Sequence, residues 1–367
     1  MIIYIILGLT PFSDINGFFN QARAAYQLKL VYRDFGCMYS PFFPYLNALA
    51  LAFWFDKKAI VLLMILIEGV ALWATFRFYR KSLSESELLY RGIAYLLMPG
   101  ALVFCVLGGQ EDVWLWLAVL LAYFIWQRFG RVEWFGQGLA VGFMFTKAVF
   151  ILMGPAFLLL VPQPRRWVLA AILVGIPCVA VLHYYTEWAW IEQPLHEAAT
   201  LRAPNLMSVI SPLTFNLLGA GHKVWNWAGL LLTTVLGSWL AYRLRYLPFT
   251  TAFSAVFVVL YATMMLLQQS AYANYLFIFL MPIVFRWINF SNFKEIFWLL
   301  VYNFLSVVHP SLWWRLERPY YLSLQDIAAK PIFIVDYLMQ CGIVVCTFYC
   351  IKLVIFKSLE LTKQQKF

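Results

Sequence analysis

Apolar residues in this chain come in long unbroken runs rather than in alternation with polar ones. Runs of the roughly 20 residues a spanning helix needs, or nearly so, begin near Ala59, Gly92, Val113, Trp167, Val224, Thr250, Tyr275, Glu295 and Ile332. Continuous runs of this length predict helices, because strands of an outer-membrane barrel would alternate apolar and polar positions. Two stretches depart from the pattern. Residues 135–160 are interrupted by Thr146-Lys147 and read as two short helices meeting at one face. The opening run, residues 1–12, would extend only about 18 Å as a helix. That is short for a hydrocarbon core of about 30 Å unless the start has lost residues or the bilayer is thinned. The pattern predicts an all-α polytopic membrane protein of about twelve spans, with both termini cytoplasmic.

The polar stretch between the first two runs, residues 13–58, has its own periodicity. Ile15, Phe18, Phe19, Ala22, Tyr26 and Leu30 recur at helical spacing, with Asn16, Asn20, Arg23 and Gln27 opposite. Such a stripe suits a helix lying along a membrane surface. A second half-apolar stretch, residues 41–55, carries Pro41 and Pro44, which make it a poor ordinary span. It is read as another interfacial helix. No internal repeat or low-complexity tract is visible.

Composition narrows the class further. Hydrophobic residues make up 63% of the 367 and charged ones only 12%, about half the share in a soluble protein. That excludes a soluble enzyme, a disordered chain and a nucleic-acid module. The net charge of +10 bears on topology more than on an anionic partner. With the loops assigned alternately, the inner side holds 16 of the basic residues against five acidic ones. The outer side holds 11 basic against ten acidic, and Glu68 and Asp336 fall within spans. The positive excess lies inside, as membrane insertion favours. Five of the six cysteines sit in apolar runs, and His183, His196, His222 and His309 are far apart, so neither a disulfide framework nor a metal motif is indicated. The opening run has no basic n-region and no small-residue cleavage site, so no cleavable signal peptide is expected.

Candidate chemistry concentrates in the outer segments: residues 13–58, 108–112, 187–223 and 309–330. Asp14 stands at the boundary between the first run and the first interfacial helix, where Ser13 or Asp14 would also serve as an N-cap. Gly108-Gly109-Gln110-Glu111-Asp112 joins two apolar helices. A glycine C-cap with an acidic helix start explains part of it, yet adjacent carboxylates repel unless they bind a cation or accept protons. Lys147 interrupts an apolar run and should face a cavity, a phosphate, the Glu111–Asp112 pair or the interface. Arg202, in Leu201-Arg202-Ala203-Pro204-Asn205-Leu206, suits phosphate recognition. Tyr39, Asn205, Tyr272 and His309 are weaker candidates for sugar or acceptor contacts. Trp313-Trp314-Arg315 adds aromatics that an interfacial belt would explain equally well.

The order of these features resembles the GT-C glycosyltransferases. The resemblance rests on Asp14 after a first helix, two outer interfacial helices, and Tyr39-Ser40-Pro41-Phe42-Phe43-Pro44. It continues through the acidic turn Gly109-Gln110-Glu111-Asp112 and a glycine-rich helix, Gly136, Gly138 and Gly142, leading to Lys147. Within the superfamily it is most similar to the bacterial polyprenyl-phosphate-mannose-dependent mannosyltransferases, which share Gly-Gln-x-Asp and Gly-x-x-x-Gly…Lys patterns. The match covers about the first 165 residues; the rest agrees only in hydropathy and loop rhythm. This divides the chain into an N-terminal module, 1–165, and a C-terminal transmembrane module, 166–367, with outer loops 187–223 and 309–330.

The resemblance implies a GT-C fold and a sugar donor on a polyprenyl phosphate. It implies inverting transfer, at the periplasmic face of a bacterial inner membrane, to a lipid- or polysaccharide-linked acceptor. Asp14 matches the family's general base. The Glu111–Asp112 pair is more acidic than the family pattern, which leaves Asp112 or Glu111 as alternative bases. Lys147, Arg202 and Gln110 would hold the donor. No cofactor is expected, although a divalent cation at Glu111 and Asp112 is conceivable on the acidic pair alone. The rival readings are a transporter or flippase and an O-antigen-type polymerase acting on lipid-linked sugars.

Overall fold

The computed structural model describes residues 4, 6–11, 13–316 and 320–364, and of 313–315 only the backbone. The side chains of the Trp313-Trp314-Arg315 motif therefore lie outside the described residues, as do Met1–Ile3, Ile5 and Phe12 of the opening run. The described secondary structure is helical, apart from one isolated bridge between Val31 and Phe35.

The chain forms two compact units. The first comprises Met1–Gly92, Ala101–Ile151 and Val161–His196; the second comprises Ile93–Gly100, Leu152–Leu160 and Glu197–Phe367. In the first unit, α1 (Ile15–Tyr26) and α2 (Phe43–Phe53) form where the sequence predicts two half-apolar helices; they pack on each other, and both touch α3 (Lys57–Tyr79). Helix α4 (Glu85–Leu96) is followed by a π-helical turn, Ala101–Leu107, bent 61° from it. Then come α5 (Trp114–Phe129) and α6 (Glu133–Phe145), and α6 stops at Thr146-Lys147 as its sequence predicts. A 3₁₀ turn, Ala148–Met153, leads to α7 (Gly154–Leu160), which belongs to the second unit from Leu152 onward. Helix α8 (Pro164–Thr186) packs along α6, so the first unit extends well beyond residue 165. Gly136 makes that packing possible: a Cβ there would lie 1.9 Å from the Trp167 carbonyl oxygen.

After α9 (Ala189–Ala199), the second unit continues through α10 (Leu206–Leu213), α11 (Lys223–Leu244), α12 (Phe249–Leu267) and α13 (Leu276–Pro282). It ends with α14 (Phe293–Leu316), α15 (Leu324–Ala328) and α16 (Pro331–Gln364). Helix α12 is apolar all round and almost wholly buried, with α11, α13 and α16 packed against it. It is the axis of this unit.

Six helices among the described residues are long and apolar enough to cross a membrane: α3, α8, α11, α12, α14 and α16. The bent α4 pair would make seven. Several of the other expected spans form shorter apolar helices; α5, with 16 residues, is only about 24 Å long. Leu173 and Ile176 on α8 are 73% and 61% exposed, an apolar outer surface that water would not tolerate and lipid would. These are the properties of a polytopic α-helical membrane protein.

Candidate functional site

Three separated pieces of sequence converge in the first unit. The π-helical turn ends at Leu107, and Gly109, two residues on, takes the left-handed conformation, with φ +61°. A side chain at Gly109 would strike Ile15 of α1 at 2.1 Å, so glycine lets the acidic turn lie directly against the start of α1. The Tyr4 hydroxyl donates to the carbonyls of Val106 at 2.7 Å and Leu107 at 3.1 Å, satisfying acceptors at the end of the turn. Meanwhile the Ser-Pro stretch before α2 is strapped to the end of α6. The Ser40 amide donates to the Thr146 carbonyl at 3.1 Å and the Phe42 amide to Met144 at 3.0 Å. That strap brings Tyr39 next to Lys147.

Asp14 precedes α1 in a helical backbone conformation and makes no side-chain capping bond. Its Oδ2 instead accepts from the Gln110 amide at 2.9 Å. The expected cap is therefore replaced by a contact 96 residues along the chain. Lys147 bridges the acidic pair, its Nζ lying 2.7 Å from Glu111 Oε1 and 2.5 Å from Asp112 Oδ1. The same ammonium sits 5.4 Å from the centre of the Tyr39 ring, which stacks on Phe43 at 4.4 Å and meets Phe18 edge-on at 5.1 Å. The Tyr32 hydroxyl donates to the Tyr39 carbonyl.

Burial sorts the three carboxylates. Glu111 and Asp112 are buried and Asp14 is half-buried. Burial pushes the Glu111 carboxyl up to about 7, against the pull of Lys147 and with help from Asp112 and Asp14. Asp112 is likewise raised, by burial first. The cation of Lys147 accounts for one of the two charges. A proton near Glu111 is thus held loosely at neutral pH.

Asn47 and Trp114 were not singled out by sequence. Asn47 is fully buried one turn after Phe43, whose ring lies 5.3 Å from that of Trp114. Neither amide atom of Asn47, nor the Trp114 indole nitrogen, has a hydrogen-bond partner among the described residues. The one available signal was a lone amide side chain in the largely apolar run of α2.

The remaining candidates belong to the second unit. Arg202 pairs with Glu197 and lies 4.4 Å above the Tyr272 ring. Asn205 caps α10, accepting from the Ser208 amide at 3.0 Å and from the Tyr320 hydroxyl at 2.7 Å, while its amide donates to the Arg202 carbonyl at 2.7 Å. Asn205 is fully committed to holding this loop. His309 is buried in α14, with Nε2 3.4 Å from Asp336 Oδ1 of α16. Asp336 also accepts from the Tyr321 hydroxyl at 3.0 Å and the Gln340 amide at 2.7 Å.

Among the described residues, no group of three or more His, Cys, Asp or Glu side chains is arranged to hold a metal ion. Lys147 occupies the cation position between the acidic pair. The fold and site together define a polytopic helical membrane protein with a carboxylate–lysine cluster beside an aromatic wall. No family model, curated protein or solved structure matches the chain.

Proposed function

We propose that this chain is a membrane glycosyltransferase of GT-C type. It moves a hexose, with mannose the closest fit to the resemblance, from a polyprenyl-phosphate donor to a lipid- or polysaccharide-linked acceptor. The observation that carries the reading is the division of labour among Asp14, Glu111, Asp112 and Lys147. A half-exposed carboxylate, oriented by Gln110, stands beside a buried cation-bridged pair. In the reaction, the acceptor hydroxyl gives its proton to Asp14 as its oxygen attacks the anomeric carbon. The bond from that carbon to the phosphate oxygen breaks with inversion, and the electron pair leaves with the phosphate. A positioned base contributes about 10²- to 10⁴-fold to such a step. Lys147 is the cation of the cluster that a departing phosphate would meet, and the Tyr39–Phe43 stack offers a face for a sugar. The distribution of basic residues argues for termini in the cytoplasm and chemistry at the outer face of a bacterial inner membrane.

The test is direct. Purified protein in detergent is incubated with synthetic polyprenyl-phosphate sugars and a bacterial lipid and glycan extract as the source of acceptor, and released polyprenyl phosphate is measured by mass spectrometry. Consumption of one donor, lost in Asp14→Asn by about 10²-fold or more, is expected. Full activity of Asp14→Asn would overturn the base assignment.

A second reading, transport of a lipid-linked sugar, draws on one observation. His309, Asp336 and Gln340 are buried polar groups on membrane-length helices, where ionisable residues often mark a transport path. Uptake into vesicles without formation of a glycosidic bond would favour it.

A further inference from the structure

At one end of the second unit, the last turn of α11 and the C-terminal third of α16 line an open-sided cavity of about 600 Å³. Its walls are of two kinds. Ile355 and Phe356 form an apolar side, and Phe356 is 61% exposed. Arg243, Lys352 and Lys363 supply three cations against the single carboxylate of Glu360. None of these three cations pairs with a carboxylate among the described residues. By contrast, Lys357 on the same helix is committed to Glu295 at 2.7 Å and to the Trp287 carbonyl at 2.8 Å.

The placement along the helix is informative. Helix α16 has 34 residues, about 51 Å, against a hydrocarbon core of about 30 Å. Counted from Pro331, Lys352 falls near the point where that core ends. Lys352, Ile355, Phe356 and Lys363 share one face of α16, at helical spacing. A boundary cavity with an apolar wall and a cationic rim is complementary to an acyl chain joined to a phosphate.

We infer that this cavity is a binding site for an anionic glycerophospholipid, its phosphate held by Arg243 and Lys352 and an acyl chain lying against Phe356. The site is independent of the carboxylate–lysine cluster, which belongs to the other unit. The apolar wall selects a lipid over free phosphate, because phosphate alone gains nothing from Ile355 and Phe356.

The experiment is native mass spectrometry of the full chain in detergent with phosphatidylglycerol, phosphatidylcholine or inorganic phosphate added. Phosphatidylglycerol should bind more tightly than phosphatidylcholine, and equimolar inorganic phosphate should not displace it. The double variant Arg243→Gln/Lys352→Gln should bind phosphatidylglycerol roughly 25-fold more weakly, at about fivefold per cation. Lys81→Gln, an exposed lysine outside the cavity, should bind it as the parent does. Phe356→Ser tests the apolar wall with the cations in place and should weaken phosphatidylglycerol several-fold. Equal affinity for the two lipids, undiminished binding in the double variant and in Phe356→Ser, or displacement by inorganic phosphate would each overturn the assignment.

Discussion

Replacing Lys147 with methionine tests the physics of the acidic cluster. The change keeps most of the side-chain volume and removes the cation that bridges Glu111 and Asp112, which are 2% and 0% exposed. Breaking a buried ion pair by removing one partner costs about 3–5 kcal/mol. Here the carboxyls can relieve the cost by taking up protons, so the loss must depend on pH. In the parent protein Glu111 already binds its proton more tightly when folded, at about 7 against 4.5 for an ordinary glutamate. The sign follows from linkage: a carboxyl raised in the folded state favours folding most below its unfolded value, and stability falls as pH rises through the folded value. Removing Lys147 removes a lowering influence on both carboxyls, so both rise further. The variant should therefore be about 3–5 kcal/mol less stable than the parent near pH 8, and the gap should narrow toward about pH 5.5. Tryptophan fluorescence during thermal unfolding in detergent, repeated across this range, reads both quantities. Adding Glu111→Gln to the variant should recover part of the loss near pH 8. A gap that is constant with pH, or smaller than about 1 kcal/mol throughout, would refute a buried cation-bridged pair.

Two further substitutions probe the scaffold around the candidate residues. Gly109→Ala forces a side chain into a left-handed position and into Ile15, so a loss of about 1–3 kcal/mol in thermal unfolding is expected. On the proposed reading, the same variant should also lose transfer activity, because the Asp14–Gln110 contact depends on that close approach. Asn205→Ala removes the α10 cap and leaves the Tyr320 hydroxyl without its acceptor. It should cost about 1–2 kcal/mol, and Asn205→Asp should restore only the cap, because a carboxylate cannot donate to the Arg202 carbonyl. An unchanged unfolding midpoint in either alanine variant would contradict the role given to that residue.

Local features of this fold were legible from spacing alone. The stripe Ile15, Phe18 and Ala22 is the buried face of α1, while Phe19 and Tyr26 lie beside Phe55 at 5.9 and 5.6 Å. The break at Thr146-Lys147 ends α6. These depend on periodicity and on residues a few positions apart, which sequence displays directly. Partners were harder. Lys147 could have met a phosphate, the interface or the acidic pair, and only the strap from Ser40 and Phe42 to α6, together with the turn at Gly109, settles it on Glu111 and Asp112. Asp14 had the composition of an N-cap, yet a helical backbone at that position turns the carboxylate toward Gln110 instead. Asn205 read as a ligand contact and is a cap. In each case the deciding contact or conformation is set by the surrounding fold, and no spacing rule reaches it.

On the proposed reading, the arrangement also bears on which carboxylate would act as base. A base must reach within hydrogen-bond distance of the hydroxyl it deprotonates, and burial separates the candidates on that ground. Glu111 and Asp112 face Lys147 from inside the fold, whereas Asp14 is half-exposed with Gln110 fixing its Oδ2. Gln110 is adjacent to Glu111 in the chain, so the turn that carries the buried pair also carries the residue that orients Asp14. On the proposed reading, the acidic pair acts on the reaction by positioning: it anchors Lys147, and the turn that carries it orients Asp14. Substitution at Glu111 should then disturb stability and its pH dependence along with rate, because the same side chain holds the cluster together. On the same reading, substitution at Asp14 should lower the rate while the bridges from Lys147 to Glu111 and Asp112 stay in place.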